Sequence, residues 1–397
     1  MHVAQISFFT DLDARAPEQL LTDWPSLADV AECAAQAGIR VSVVQACVHS
    51  QRMTRQGVNY HFLPFGRGQP VRGRSSAGDG SAAFAELLRE LTPDVLHVHG
   101  LGFPHDVTSL AAIAPGIPIL LQDHASRPPR LWRRNLWRRG LCASSGIAFC
   151  SREQAKPFAA AGLFAPHTTV YEIPESSSRF TPGDQAEARR ASGMSGDPAA
   201  LWAGHLDDNK DPLAVLDGVS RAVPALPALQ LYCCYGTAPM LRAVQRRIID
   251  DPLLIGRVHL LGRVPHPEIE QLMRAADLFV SGSHREGSGY SVIEALACGL
   301  PPVVTDIPSF RTLTGAGSAG ALWPPGDAGA LCDKLVAVAK QPRAKARAAT
   351  REVFERELSF EAVGGKLACA YRDLIERGSR RPVDTQPMDR AVMVDHA

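Results

Sequence analysis

The chain reads as an α/β protein made of two doubly wound, mostly parallel sheets facing a common cleft. Three observations predict this class. Short β-rich runs alternate with helical stretches along most of the length, the pattern of parallel strands joined by crossover helices. The alternation comes in two series, separated by a polar stretch rich in Pro, Gly and Ser over residues 174–198. At 397 residues the chain also exceeds one core, given roughly 150 residues per domain.

In the first series the expected strands are Val3–Phe9, Arg40–Cys47, Asn59–Pro64, Val95–His99, Ile117–Leu121, Gly146–Cys150 and Thr169–Ile173. The helices between them are Leu27–Ala37, Ala82–Leu91, Asp106–Ala114 and Arg152–Ala161. Ser151 precedes the last helix with Gln154 three residues on, the spacing of a capping box. The second series has strands Ala199–Ala203, Leu229–Cys234, Arg257–Leu260, Leu278–Ser281, Pro302–Thr305 and Gly320–Leu322. Its helices are Pro212–Val223, Met240–Asp250, Pro267–Ala275, Tyr290–Cys298 and Ala328–Ala339. Each series therefore carries about six β/α units, the content of a doubly wound domain. Residues 1–175 and 176–375 are assigned to the two domains and 376–397 to a flexible tail. Residues 66–81 lack apolar periodicity and read as a mobile loop. Residues 344–375 read as a helical closing segment.

Composition narrows the function. Lys plus Arg number 42 against 41 acidic residues, and residues 1–175 hold 16 basic and 15 acidic side chains, leaving 26 of each in the rest. Neither half attracts a polyanion by bulk charge, so nucleic acid is not an expected partner. The nine cysteines are scattered without a CxxC pair and read as small buried hydrophobes of a reducing compartment. The first apolar run is short and lacks a basic start, and no window approaches a membrane span. The cytoplasm is the expected location.

The densest signal is Ser281–Phe310, SGSHREGSGYSVIEALACGLPPVVTDIPSF. It reads as a strand end, a Gly-Ser-Gly loop, a helix, and a second strand. Amides of Gly287, Ser288 and Gly289 can converge on an anion or on hydroxyls at the positive end of the helix. A carboxylate accepts two hydroxyl hydrogen bonds, so Glu286 in the loop and Glu294 one turn into the helix suit a polyhydroxylated ligand. A tight turn with solvent-facing glutamates is the structural alternative. Upstream, GHLDDNKDP (204–212) places Lys210 just before a helix, where it either faces a phosphate or sits in a surface turn. One cation–diphosphate contact is worth about 1.5–3 kcal/mol.

This pattern resembles the retaining glycosyltransferases of family 4. Their signature has two glutamates separated by seven residues, the second followed by Ala-x-Ala-x-Gly-x-Pro, as in Glu294, Ala295, Ala297, Gly299 and Pro301. The run AADLFVSGSHREG (275–287) matches too. The resemblance implies the GT-B fold, with two Rossmann-like domains facing a central cleft and the last helix crossing back to the first domain. It also implies that Glu286 contacts the donor sugar and Glu294 the ribose. Lys210 and the residue at position 205 would then clamp the diphosphate, and Val264 offers its backbone to the base. Position 205 carries His where the family has Arg, which implies weaker diphosphate binding or pH-sensitive activity, with Arg285 a candidate substitute. Ser288 replaces a usual aromatic, and Arg311 stands near a usual glutamate.

The first half is less patterned. Strand ends His97–His99 and Gln122–His124 put polar groups where the cleft is expected, each histidine being either a site group or a satisfied structural one. The resemblance selects His124 as the group approaching the sugar, although here Asp123 precedes it. The family's Gly-Gly pair after the first strand is replaced by residues 10–24. There Asp11-x-Asp13 reads as a solvated loop.

Residues 127–139, RPPRLWRRNLWRR, hold six arginines and two tryptophans. They read either as an amphipathic helix with Leu131, Trp132, Leu136 and Trp137 partly inward, or as a patch for anionic lipid headgroups. The patch reading makes peripheral attachment to the inner face of a membrane an open alternative to a purely cytoplasmic enzyme.

The expected activity is retaining transfer of a hexosyl group from a nucleoside-diphosphate sugar, UDP favoured, to a hydroxyl of a glycan, a lipid-linked acceptor or a small molecule. No obligatory metal and no prosthetic group are expected. The alternatives are a sugar phosphorylase or sugar-nucleotide epimerase of the same architecture, or a nucleotide-sugar-binding protein without catalysis.

Overall fold

Strand β1 (His2–Ser7) is buried at every position, as a strand covered by helices on both faces must be. The structure, a computed structural model, describes residues 1–9, 11, 15–23, 25–64 and 81–379. After β1 come α1 (Pro17–Asp23), α2 (Pro25–Gln36), β2 (Arg40–Ala46), β3 (Gln51–Arg55), β4 (Val58–Leu63), α3 (Ser81–Leu91) and β5 (Val95–His99). The lobe continues through α4 (Pro104–Ile113), β6 (Ile119–Gln122), α5 (Arg134–Cys142), β7 (Gly146–Phe149), α6 (Arg152–Ala160) and β8 (Thr169–Glu172). The sheet runs β3-β4-β2-β1-β5-β6-β7-β8, parallel throughout except for the β3–β4 hairpin.

The second lobe comprises α7 (Gln185–Ser192), β9 (Ala199–Gly204), α8 (Pro212–Ala222), β10 (Gln230–Tyr235), α9 (Leu241–Ile249), β11 (Val258–Gly262) and α10 (His266–Ala275). It continues through β12 (Leu278–Ser281), α11 (Tyr290–Ala297), β13 (Pro302–Thr305), α12 (Pro308–Leu313), β14 (Ala321–Trp323) and α13 (Ala328–Ala339). Its sheet runs β11-β10-β9-β12-β13-β14, so strand order reverses between β9 and β12. Then α14 (Arg343–Glu357) and α15 (Phe360–Ser379) follow.

Period-two alternation divides each sheet between two cores. Val3, Val95 and Leu120 face α2 and α15, while Ala4, Leu96 and Leu121 face the opposite helices. In the second sheet Cys234 and Cys233 likewise belong to opposite faces.

Several elements differ from the sequence reading. The β3–β4 hairpin turns at Gln56 and Gly57, both at positive φ (50° and 78°). Its edge strand alternates between half-buried and exposed residues, so it has no apolar run to betray it. Helices α1 and α12 are short and were not expected. The closing segment breaks at Leu358 and Ser359 into two helices, and α15 runs to Ser379, past the expected boundary at 375. Asp11 is buried against the Arg15 guanidinium, 2.7 Å away, rather than solvated. Leu131 and Trp132 form a 3₁₀ turn before α5 and are 75% and 77% exposed, whereas Trp137 is buried. The expected mobile loop, apart from Ser81 in α3, and the tail beyond 379 lie outside the described residues.

Helix α15 crosses back onto the first lobe, burying Val363, Leu367 and Tyr371. Gly364 permits the approach. A Cβ there would sit 2.2 Å from the Cys33 carbonyl oxygen in α2, whereas one on Gly365 would meet nothing within 4 Å. Gly364→Ala should therefore destabilise the chain by about 1–3 kcal/mol through overpacking. Gly365→Ala should be neutral, or stabilise by up to about 1 kcal/mol through helix propensity. Thermal midpoints of the two variants check this, and equal midpoints would refute the close-packing account.

Candidate functional site

Ligands of open α/β sheets bind beyond the carboxyl ends of strands where the order reverses. In the second lobe these are β9 and β12, and the loops leaving them are laced together. The His284 amide donates to the Asn209 carbonyl (2.8 Å), Asn209 Nδ2 to the Arg285 carbonyl (2.9 Å), and His284 Nε2 lies 2.9 Å from Asp211 Oδ2. Asp211 adopts φ 42° and caps α8 by accepting from the Ala214 amide. Lacing of this kind brings Lys210 Nζ to 2.5 Å from Glu286 Oε1, with the two side chains 17% and 14% exposed. The Lys210 stem lies over Gly204.

The loop Gly287-Ser288-Gly289 is buried, and Gly289 stands at φ 88° as the N-cap of α11 without a side-chain cap. The first-turn amides of α11 therefore lack a capping side chain, which favours an anion or hydroxyl there. Glu294, in the second turn, meets His266 Nε2 at 2.5 Å, and the His266 ring packs on Phe180 at 4.7 Å between centroids. Hydrogen bonding to Glu294 raises the His266 pKa.

Val264 is half-buried against the core of that sheet face. His205 is exposed and turned to the end of β10, where Nδ1 accepts from the Thr237 amide (3.2 Å). Arg285, the candidate substitute for the missing arginine, instead donates across the cleft to the Ala125 carbonyl (2.6 Å).

The first lobe contributes a buried polar chain. His124 Nδ1 lies 2.8 Å from Glu175 Oε2 and its Nε2 lies 3.2 Å from His99 Nδ1. His99 Nε2 reaches Gln5 Oε1 (3.3 Å), Gln5 Nε2 donates to the Tyr371 hydroxyl (3.4 Å), and that hydroxyl meets His97 Nδ1 (2.7 Å). Burial works against a charge on His124, but the Glu175 carboxylate and Asp123 outweigh it, so its pKa is raised. Burial, with the His124 charge adding, holds His97 down at about 3 and His99 well below its ordinary value. With His124 charged, both its ring N–H groups donate. The direction then propagates consistently from His124 through His99 and Gln5 to Tyr371 and His97. Burial pushes Asp123 up to about 6, and its carboxylate accepts from the Ser126 amide.

Among the described residues, five hydrogen bonds join the lobes at this point. Gln154 Oε1 completes the capping box with Ser151, and its Nε2 donates to the carbonyls of Glu286 (2.8 Å) and Gly287 (2.9 Å). The Glu175 amide donates to Ser288 Oγ (2.9 Å), so the serine replacing an aromatic serves the contact between lobes. Arg285 reaches Ala125, and Arg311 Nη1 meets Glu153 at 2.8 Å. A Cβ on Gly287 would collide with the Glu175 carboxylate and sit 2.9 Å from the Ala125 backbone nitrogen, so a side chain there would have to displace that carboxylate.

Sequence reasoning missed Glu175, Gln154's second role and His266. Glu175 stands in a polar, Pro-containing linker and carries no local signal. His266 could have been found from PHPE (265–268) at the start of a helix.

Among the described residues no group of three or more His, Cys, Asp or Glu could hold a metal ion. No helix among them is long and apolar enough to cross a membrane.

Comparison with known proteins bears on both halves. The family model described as Glycosyl transferases group 1 matches residues 185–353, and the one described as Glycosyltransferase Family 4 matches residues 26–171. The GDP-mannose:cellobiosyl-diphosphopolyprenol alpha-mannosyltransferase of Xanthomonas campestris is 26% identical over 63% of this chain and 66% of its own length. The D-inositol 3-phosphate glycosyltransferase of Geodermatophilus obscurus is 32% identical over 36% of this chain and 34% of its own length. The chain thus spans less than two thirds of either relative. In fold it is similar to the sucrose-phosphate synthase of Thermosynechococcus elongatus (TM-score 0.69, 18% identity, 95% of this chain and 99% of that one). It is also similar to Anabaena HepE solved with UDP (TM-score 0.69, 17% identity, 94% and 100%).

The raised pKa of His124 makes a signed prediction. Its pair with Glu175 contributes stability in full below the unfolded value of about 6.5 and loses it as pH rises through the raised folded value. His97 and His99, with lowered values, act oppositely: their contribution is full above about 6.5 and lost as pH falls. Glu175→Gln should flatten the alkaline limb of thermal midpoint against pH and spare the acid limb. An unchanged alkaline limb would remove Glu175 as the cause.

Proposed function

The chain belongs to the family 4, group 1 glycosyltransferases, and from that premise we propose that it moves a hexosyl group from a nucleoside-diphosphate sugar to an acceptor hydroxyl with retention. The observation that carries this reading is the Lys210–Glu286 pair at the strand reversal, with Glu294 in the second turn of the adjoining helix. On donor binding, the Lys210 ammonium turns from Glu286 to the diphosphate. Glu286, released, accepts from hydroxyls of the sugar. Glu294 exchanges His266 for the ribose hydroxyls, and Val264 offers its backbone to the base.

The bond from the anomeric carbon to the diphosphate oxygen then breaks while the acceptor oxygen adds on the same face. The acceptor proton passes to the leaving phosphate. Lys210 and the amides of Gly287, Ser288 and Gly289 neutralise the developing charge, so the proposal needs no metal. His205 adds at most a distant contribution from the end of β10. His124, with 31% of its side chain exposed, meets a sugar hydroxyl from the first lobe.

For the base, HepE solved with UDP favours uridine, while the Xanthomonas relative is named for GDP-mannose. A panel of UDP-, GDP-, ADP- and dTDP-sugars in thermal-shift assays decides between them. Lys210→Ala and Glu294→Ala should each abolish the shift given by the best donor, and Lys210→Ala should cut turnover about 100-fold or more. A shift retained in both variants would remove the assignment.

The same reading extends to location. Leu131 and Trp132 stand out from the surface beside Arg130, Arg133 and Arg134, a combination suited to an anionic bilayer face. Co-sedimentation with phosphatidylglycerol vesicles should fall when both residues become serine and should weaken with salt. Sedimentation equal to the parent chain would refute peripheral attachment through this turn.

A further inference from the structure

A cavity of about 200 Å³ lies between the lobes, on the first-lobe side of Glu286. Its walls include the loop Asp123–Pro128 after β6, the start of α6, residues His284–Glu286 and residues Ile307–Ser309. Two arginines from opposite lobes, Arg127 and Arg285, line it together.

The carboxylates on the same walls already have partners. Glu286 is paired with Lys210, Glu153 with Arg311, and Asp123 accepts from the Ser126 amide. Arg285 gives one N–H to the Ala125 carbonyl, which fixes its plane. Among the described residues neither arginine forms an ion pair. Both arginines line the cavity while staying exposed to solvent, and partial burial, then the charge of Arg127, holds the Arg285 pKa below the ordinary arginine value. A dianion between them would offset both charges and receive the planar donor forks that suit phosphate.

We propose that this cavity is an anion subsite taking a phosphoryl group carried by the acceptor, clamped by Arg127 from one lobe and Arg285 from the other. The word acceptor rests on the transferase reading above; the anion site does not. The position separates this group from the donor diphosphate. Glu286 stands between Lys210 and the cavity, touching the first and lining the second. A molecule anchored at the arginines would present its hydroxyls to a sugar held at Glu286. At about 200 Å³ the space is below the roughly 300–1,000 Å³ of pockets for drug-sized ligands, which suits one compact head group. The phosphoryl group can belong to a soluble sugar phosphate or to a lipid phosphate whose chain leaves along Pro128 towards Leu131 and Trp132.

The test is calorimetric titration of the full chain, and of Arg127→Gln and Arg285→Gln, with inorganic phosphate, glucose 6-phosphate, farnesyl phosphate and UDP. The parent chain should bind phosphate. Each variant should lose roughly ten- to hundredfold in phosphate affinity, the equivalent of one charge-assisted hydrogen bond, while UDP affinity stays within about twofold. Tighter binding of glucose 6-phosphate than of phosphate would identify a soluble acceptor, tighter binding of farnesyl phosphate a lipid-linked one, and either upholds the subsite. Arg127→Gln guards against disturbance of the Glu286 loop by the Arg285 change. The proposal is overturned if the parent chain binds no phosphate, if both variants bind it as the parent does, or if UDP affinity falls in step with phosphate affinity. Phosphate binding that depends on the arginines in a chain binding no nucleotide would sink the transferase reading and leave the anion site standing.

Discussion

An ammonium and a carboxylate held 2.5 Å apart where the second sheet reverses its strand order set the terms for the rest of this molecule. Neither group is fully exposed, and neither could be so placed by its own loop alone. The loop after β9 and the loop after β12 are laced by backbone and side-chain hydrogen bonds, so the pair is fixed in position before any ligand arrives. An incoming polyanion competes with the carboxylate for the ammonium, and an incoming polyol competes with the ammonium for the carboxylate. A ligand carrying both functions satisfies both groups at once. A phosphate or a sugar alone leaves one of them half-buried without its partner, which is costly.

Hydrogen bonds couple the lobes to this pair. Gln154 caps its own helix with one end of its amide and holds the carbonyls of Glu286 and Gly287 with the other. Glu175 approaches Gly287 where a side chain would have to displace its carboxylate, and that carboxylate supports His124. The protonation of the first lobe's histidine and the seating of the second lobe's loop therefore depend on one residue of the connecting segment. Behind His124 the chain of His99, Gln5, Tyr371 and His97 passes through α15 at Tyr371 and ends on β5. The helix that crosses back thus supplies a hydroxyl to the floor of the cleft as well as apolar cover.

Much of this was legible in advance, because parallel strands buried on both faces require uninterrupted apolar runs and their helices require amphipathic ones. The double glutamate with its glycine loop, and Lys210 before its helix, stood out by residue type and by resemblance to family 4, and the structure brings Lys210 against Glu286. The β3 edge strand was hidden by its alternation of polar side chains, and α1 and α12 by their brevity. Leu131 and Trp132 were expected to turn partly inward with Trp137. Trp137 is buried and Leu136 half-buried as expected, but Leu131 and Trp132 stand out, because the chain enters α5 through a 3₁₀ turn that changes the facing of the residues before it.

The sequence by itself determined the two-series architecture, the boundary region between the series, and the identity of the loop and helix bearing Glu286 and Glu294. Those features are local, written within a few turns of chain by periodicity and glycine placement. Tertiary structure alone decided that Glu175 and His124 would meet, that His205 would turn to the end of β10, and that Arg127 and Arg285 would share a cavity. Each of those outcomes joins groups far apart along the chain, or chooses among neighbours of similar chemistry. Packing within each lobe and of one lobe against the other fixes such distances.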